Sequence, residues 1–163
     1  MALVLAERIH EWATQSAGGV SNAQLRAVAV QLAEAASRAG QYQRGLELFE
    51  LLFNNVPRSD ALGDELDVRV VFGRAEAFFQ LGRRDVALPE FSRLATGLRP
   101  SDPLRWRALL RDLQCRTMLK HAPQGIIKVI EQQKFLYPDL GGPRLAAQFE
   151  RLRRENERRA EPG

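Results

Sequence analysis

Cys115, His10 and His121 are the side chains whose types best suit nucleophilic or metal chemistry, and their spacing gives them little to work with. A thiol nucleophile needs a neighbouring base, and a zinc centre needs several Cys, His or carboxylate ligands at short spacing. Cys115 is the only cysteine and lies in RDLQCRTML, an apolar-flanked helical stretch, so it reads as core. The two histidines are far apart, with no acidic cluster around either. There is no Ser, His and acid set, no HExxH, and no glycine-rich loop with the Lys of a phosphate site. AGGVSN (17–22) lacks that Lys and a preceding strand, and GDELD (63–67) reads as the acidic start of a helix. The expectation is a protein with no catalytic residues, no metal and no cofactor. What remains is non-covalent recognition by charged side chains on helices.

Those charges are unevenly placed. The net charge is +4, yet residues 1–60 and 61–98 each carry one more acid than base, whereas residues 99–142 hold eight Lys and Arg against four Asp and Glu. The basic excess therefore belongs to the C-terminal part. At 163 residues, with 45% hydrophobic and 27% charged side chains, the chain is sized for one globular domain and is unlike a disordered one. No apolar run reaches the roughly 18 residues that span a bilayer, and MALVLAERIHEW has no basic leader region before its apolar residues. With a single cysteine, the expected setting is the cytoplasm.

The elements that must carry these side chains are helices throughout. Leu5, Ile9, Trp12 and Ala13 form one apolar stripe from Met1 to Ser16, ended by the glycines that follow. Ser21 or Asn22 caps a second helix to Ala39, with Gly40 as its stop, and a third runs from Tyr42 to Asn54. Ser59 or Asp60 is expected to cap the next, which ends at Gly82. Asp85 to Ala95 follows, with Pro89 held to be tolerable as part of a first turn that begins near Arg84. Ser101-Asp102-Pro103 starts a helix through Leu119, and Pro123 opens another to Leu136. In the last, Leu145, Phe149 and Leu152 make a stripe between Pro143 and Arg159.

These helices repeat as pairs. RAGQYQRGLELF (38–49) and QLGRRDVALPEF (80–91) place a glycine, then a small residue, a leucine and a phenylalanine at the same offsets. The small residues Gly45, Ala87 and Gly125 lie 42 and 38 residues apart, and Pro57, Pro100 and Pro138 follow them 12, 13 and 13 residues on. In this the chain resembles the tetratricopeptide repeat family over about Asn22 to Asp139. Unit one supplies Ala33, Gly40, Tyr42, Gly45, Leu46, Phe49 and Pro57; unit two supplies Ala75, Phe78, Gly82, Ala87, Leu88, Phe91 and Pro100. Unit three keeps Leu119, Gly125, Ile126, Val129 and Pro138, but has Lys120 for the turn glycine and Arg116 where an aromatic is expected. Its period is longer than the family's usual length of about 34.

The resemblance implies an all-α fold, a solenoid of antiparallel helix pairs forming a superhelix with flanking capping helices. The expected layout is one domain over 1–163: an N-terminal cap at 1–20, pairs at 21–57, 59–100 and 101–138, and a C-terminal cap at 142–159. It also implies a partner groove lined by the first helix of each pair. The corresponding stripes are Ala27, Gln31, Glu34 and Arg38; Arg69, Gly73, Glu76 and Gln80; and Arg107, Arg111, Gln114 and Met118. Spacing of 4, 3 and 4 puts each set on one helix face. The Lys and Asn of the family's carboxylate-binding branch are missing, so the expected partner is a peptide or helix with charges of both signs, bound by an adaptor, scaffold or small chaperone. The second reading is nucleic-acid association through a patch of Arg105, Arg107, Arg111 and Arg116 joined to the terminal helix, where interleaved glutamates weaken the attraction to phosphate.

Overall fold

A computed structural model describes residues 23–54 and 62–161. The expected N-terminal capping helix, with His10, therefore lies outside the described residues, as do Pro57, Ser59 and Asp60. The described residues form seven α-helices and no strand: α1 (Ala23–Arg38), α2 (Tyr42–Phe53), α3 (Glu65–Gln80), α4 (Arg84–Gly97), α5 (Pro103–Met118), α6 (Pro123–Leu136) and α7 (Pro143–Ala160). The all-α expectation is met. The chain divides into two compact units, 1–81 and 82–163.

In the first unit, α1 and α2 form an antiparallel pair. The turn between them is closed by Gly40 at φ +76°, with Gly40 N–H donating to Ser37 O at 3.0 Å and Gln41 N–H to Ala36 O at 2.9 Å. This double hydrogen bond needs a left-handed residue at its centre, which glycine supplies without steric cost. Beyond the turn the helices touch closely: a side chain at Gly45 would meet Ser37 Oγ and would come to 3.3 Å from Ala33 O. Ala29, Val30, Ala33, Leu48, Phe49, Leu52 and Val70 form the core of this unit.

Helix α3 packs on both and starts later than Ser59 or Asp60 suggested. Gly63 takes φ +75°, and Asp64 caps the helix by accepting from Asp67 N–H at 2.8 Å while its own N–H donates to the Asp67 carboxylate at 3.0 Å. The reciprocal cap satisfies two backbone donors at once, and Arg26 of α1 pairs with the otherwise buried Asp67. Gly73 sits directly against Phe49, where any Cβ would overlap the ring. Its place in the proposed groove stripe is thus a core contact.

In the second unit, α4 begins at Arg84 as expected, but Pro89 is its sixth residue and lies past the first turn. The reason given for tolerating it fails: the proline removes the bond to the Asp85 carbonyl. Both residues are exposed, so solvent is at hand to take the place of the missing donor. Helix α4 packs extensively on α5, whose start is capped by Asp102 accepting from Leu104 N–H at 2.8 Å. The α5–α6 turn repeats the α1–α2 geometry with a non-glycine residue. Lys120 takes φ +60°, donating to Thr117 O at 3.1 Å while His121 N–H reaches Arg116 O at 2.9 Å.

Helix α6 is held more by α7 than by α5. Trp106 is held from two loops: its indole N–H donates to Pro100 O of the α4–α5 connection at 2.8 Å, while in the α6–α7 loop Tyr137 meets the ring edge-on at 5.4 Å and Gly141 passes where a side chain would overlap it. On α7, Phe149 and Leu152 are buried as expected, but the same stripe ends in a polar residue. Asn156 is fully buried, donating to Thr117 Oγ1 at 3.0 Å and Leu152 O at 2.9 Å and accepting from Arg159 at 2.6 Å.

Two outcomes follow. Gly73→Ala should lower stability by about 1–3 kcal/mol in chemical denaturation, because overlap with Phe49 outweighs the gain in helix propensity. The Glu150 carboxyl on α7 is held down at about 2, against an ordinary 4.5, chiefly by the hydrogen bonds from Arg153 and secondarily by Arg154, with burial opposing. A depressed carboxyl pKa stabilises above the unfolded value, so this contribution is complete above pH 4.5 and disappears as pH falls toward 2. NMR titration should find the low midpoint, and Arg153→Gln should move it upward.

Candidate functional site

The residues expected to meet a partner sit on the helices assigned to them, and several are already engaged. In the first unit, α1 and α3 run parallel. Arg69 of α3 grips Glu34 of α1 with two bonds, Nε to Oε1 at 2.9 Å and Nη2 to Oε2 at 2.8 Å, while Arg38 stands 3.8 Å from the same carboxylate. The hydrogen bond to Glu34 is the main reason the Arg69 pKa is raised. The Glu34 charge is therefore paired within its own chain. Gln31 is exposed on α1, and Gln80 donates to Glu76 one turn away on α3 at 2.8 Å. In the second unit, Arg111 donates to Gln114 on the same helix at 2.8 Å, and Arg107 is exposed one turn earlier.

The opposite face of α5 carries a feature that the stripe assignment overlooked. Arg105, Leu109, Asp112 and Arg116 repeat at 4, 3 and 4, offset by two residues from Arg107, Arg111 and Gln114; two residues turn a helix by about 200°. This second stripe forms one wall of a cleft of about 600 Å³. Ser92, Ala95 and Thr96 of α4 and Gly125, Ile126, Val129 and Gln133 of α6 complete it, with His121 and Ala122 at the turn. The four arginines expected to form one basic patch are thus divided between two faces of α5, with Arg105 and Arg116 in the cleft.

Polar groups mark both ends of an apolar middle. At one end Asp112, almost fully buried, takes Arg116 Nε at 2.8 Å and Nη2 at 3.1 Å and also accepts from the Ser92 hydroxyl. Arg116 Nη2 lies 3.1 Å from Ser92 Oγ, closing a three-residue network, and its hydrogen bond with Asp112 is the largest cause of its raised pKa. At the other end Arg105 rests over Trp106, 4.6 Å from the ring centroid, and over Tyr137 at 5.2 Å. Its Nη2 makes a long bond of 3.2 Å to Gln133 Oε1, and its buried Nη1 has no hydrogen-bond partner.

Arg116, standing where an aromatic is expected, leaves the cleft unfilled. In a closed pair an aromatic fills the space between the helices; Arg116 instead turns to Asp112 and Ser92. A Cβ at Gly125 would meet nothing within 4 Å, whereas Gly45 faces Ser37 Oγ and Ala33 O. The expected close approach at the small residue is therefore real in the α1–α2 pair and absent in α5–α6. The second-stripe spacing was visible in the sequence, but the way α4 and α6 lie against it with a gap between them was not.

Among the described residues no helix is long and apolar enough to cross a membrane, no cluster of His, Cys, Asp and Glu is arranged to hold a metal, and Cys115 is fully buried. No protein-family model, curated protein or solved structure matches the chain. The likeness to tetratricopeptide repeats rests on the residues quoted for it.

Replacing Asp112 with Ala should cost about 2 kcal/mol, since it strips Arg116 and Ser92 of their acceptor in a largely buried setting. Thermal and urea unfolding of the variant check this; an unchanged midpoint would mean that water already satisfies both groups.

Proposed function

We propose that this chain is a non-enzymatic protein-interaction module, an adaptor, scaffold or small chaperone built from tetratricopeptide-like helix pairs, that holds a peptide or partner helix on its outward helix faces. The observation that carries the proposal is the polar stripe of α5. Arg107 is exposed, and Arg111, which donates to Gln114, shares its face. A cationic stripe on a rigid helix suits an extended or helical segment bearing acidic residues. On α1 and α3, Glu34 and Arg69 are bonded to each other, so recognition there falls to Gln31, Arg38, Glu76 and Gln80, which suits a polar partner. A cytoplasmic setting accords with the single, buried cysteine.

The test is charge reversal. Arg107→Glu with Arg111→Glu should remove the captured partner from quantitative pull-downs out of the native host, while the helical circular dichroism and melting stay within about 0.5 kcal/mol of the parent. Capture of the same proteins in the same amounts by the double variant would refute the α5 assignment.

A further inference from the structure

The α4–α5–α6 cleft lies on the opposite side of α5 from the proposed partner stripe, and its chemistry is different. Its middle is apolar, lined by Leu109 and Leu113 of α5 and Ile126 and Val129 of α6. From Arg105 to Arg116 it extends about 16 Å along the helix. A volume of about 600 Å³ lies within the range of small-molecule sites.

Charge distribution in the cleft is lopsided. The Arg116 charge is matched by Asp112 through two hydrogen bonds. Arg105 has no carboxylate partner among the described residues; its partners are the neutral Gln133 oxygen and the faces of Trp106 and Tyr137. One of its buried nitrogens lacks any acceptor. A buried donor left in this state costs free energy that an incoming acceptor recovers. A carboxylate displacing the long Gln133 bond would exchange one neutral hydrogen bond for a charge-assisted pair, about twice as strong.

We infer that the cleft binds an amphipathic carboxylate, its acid group on Arg105 and its apolar body running between Leu109, Leu113, Ile126 and Val129 toward the Asp112–Arg116 pair. The acid is either a free small molecule or the terminal carboxylate of an apolar-ended chain; both present the same group to the same arginine. Gly125 marks the open side of the cleft, since nothing stands within 4 Å of where its Cβ would be. A large residue there obstructs entry without displacing existing core.

Titration of the full chain with 4-phenylbutyrate and with acetyl-Leu-Phe, followed by NMR shifts of the Trp106 indole and the Ile126 and Val129 methyls, tests this. At least one acid should bind saturably. Its uncharged counterpart, 4-phenylbutanol or the peptide amide, should bind at least tenfold more weakly. Arg105→Met, which keeps the stem over Trp106 but removes the charge, should weaken the acid at least tenfold. Gly125→Trp should abolish binding with the melting curve preserved. The Arg107→Glu, Arg111→Glu variant should bind the acid like the parent, which separates this site from the proposed partner surface. Saturation by only one acid identifies the source. Failure of both to saturate, equal binding of the uncharged counterparts, or full binding by Arg105→Met overturns the inference.

Discussion

How near two helices can come is set by what stands at their crossing, and the folded units are organised by that constraint. At Gly45 the α2 backbone reaches the Ala33 carbonyl, and at Gly73 the α3 backbone accepts the Phe49 ring. The Gly73 contact excludes a side chain, and the Gly45 contact admits one only if Ser37 and the Ala33 carbonyl shift. The resulting short separations bury Ala29, Ala33, Phe49 and Val70 together, and close packing of such residues is where most helical stability in a small unit arises. Where the constraint is released, at Gly125, the pair opens and a cleft takes the place of core.

Polar groups enforce the arrangement where apolar packing is thin. Asn156 joins α7 to α5 through Thr117, and Asp112 joins α5 to α4 through Ser92. Each is buried, and each has partners for its hydrogen-bonding atoms, so the desolvation cost is offset by bonds that only one alignment of the helices provides. Glu34 and Arg69 do the same between α1 and α3 near the surface, where solvent screens the pair and its contribution is smaller. These bonds bear on recognition as well as on stability. A carboxylate held by an arginine of its own chain is no longer available to a partner, whereas Arg105 keeps a buried donor with no acceptor.

Much of the local structure was legible because it depends on neighbours in sequence. Gly40 and Gly82 mark turns, Asp102-Pro103 and Pro123 mark helix starts, and the Phe149–Leu152 stripe marks a buried face. The α3 start was misplaced because Ser59 and Asp60 are as good caps in isolation as Asp64; the choice was made by Asp67, which closes the reciprocal cap and meets Arg26 from another helix. Pro89 was misjudged for a related reason. Its cost depends on whether the freed carbonyl faces water, and that is a property of the packed helix.

Composition and spacing by themselves determined that this chain is helical, where most of its helices begin and end, and which small, aromatic and glycine residues recur, since capping, turn conformation and 3.6-residue periodicity act over one or two turns. Which charges remain available was decided by tertiary structure alone. The face of α5 carrying Arg105, Asp112 and Arg116 and the face carrying Arg107 and Arg111 are equivalent patterns on paper. They become a cleft and an outer surface only when α4 and α6 lie against one of them, because burial and hydrogen-bond partners come from residues distant in the chain.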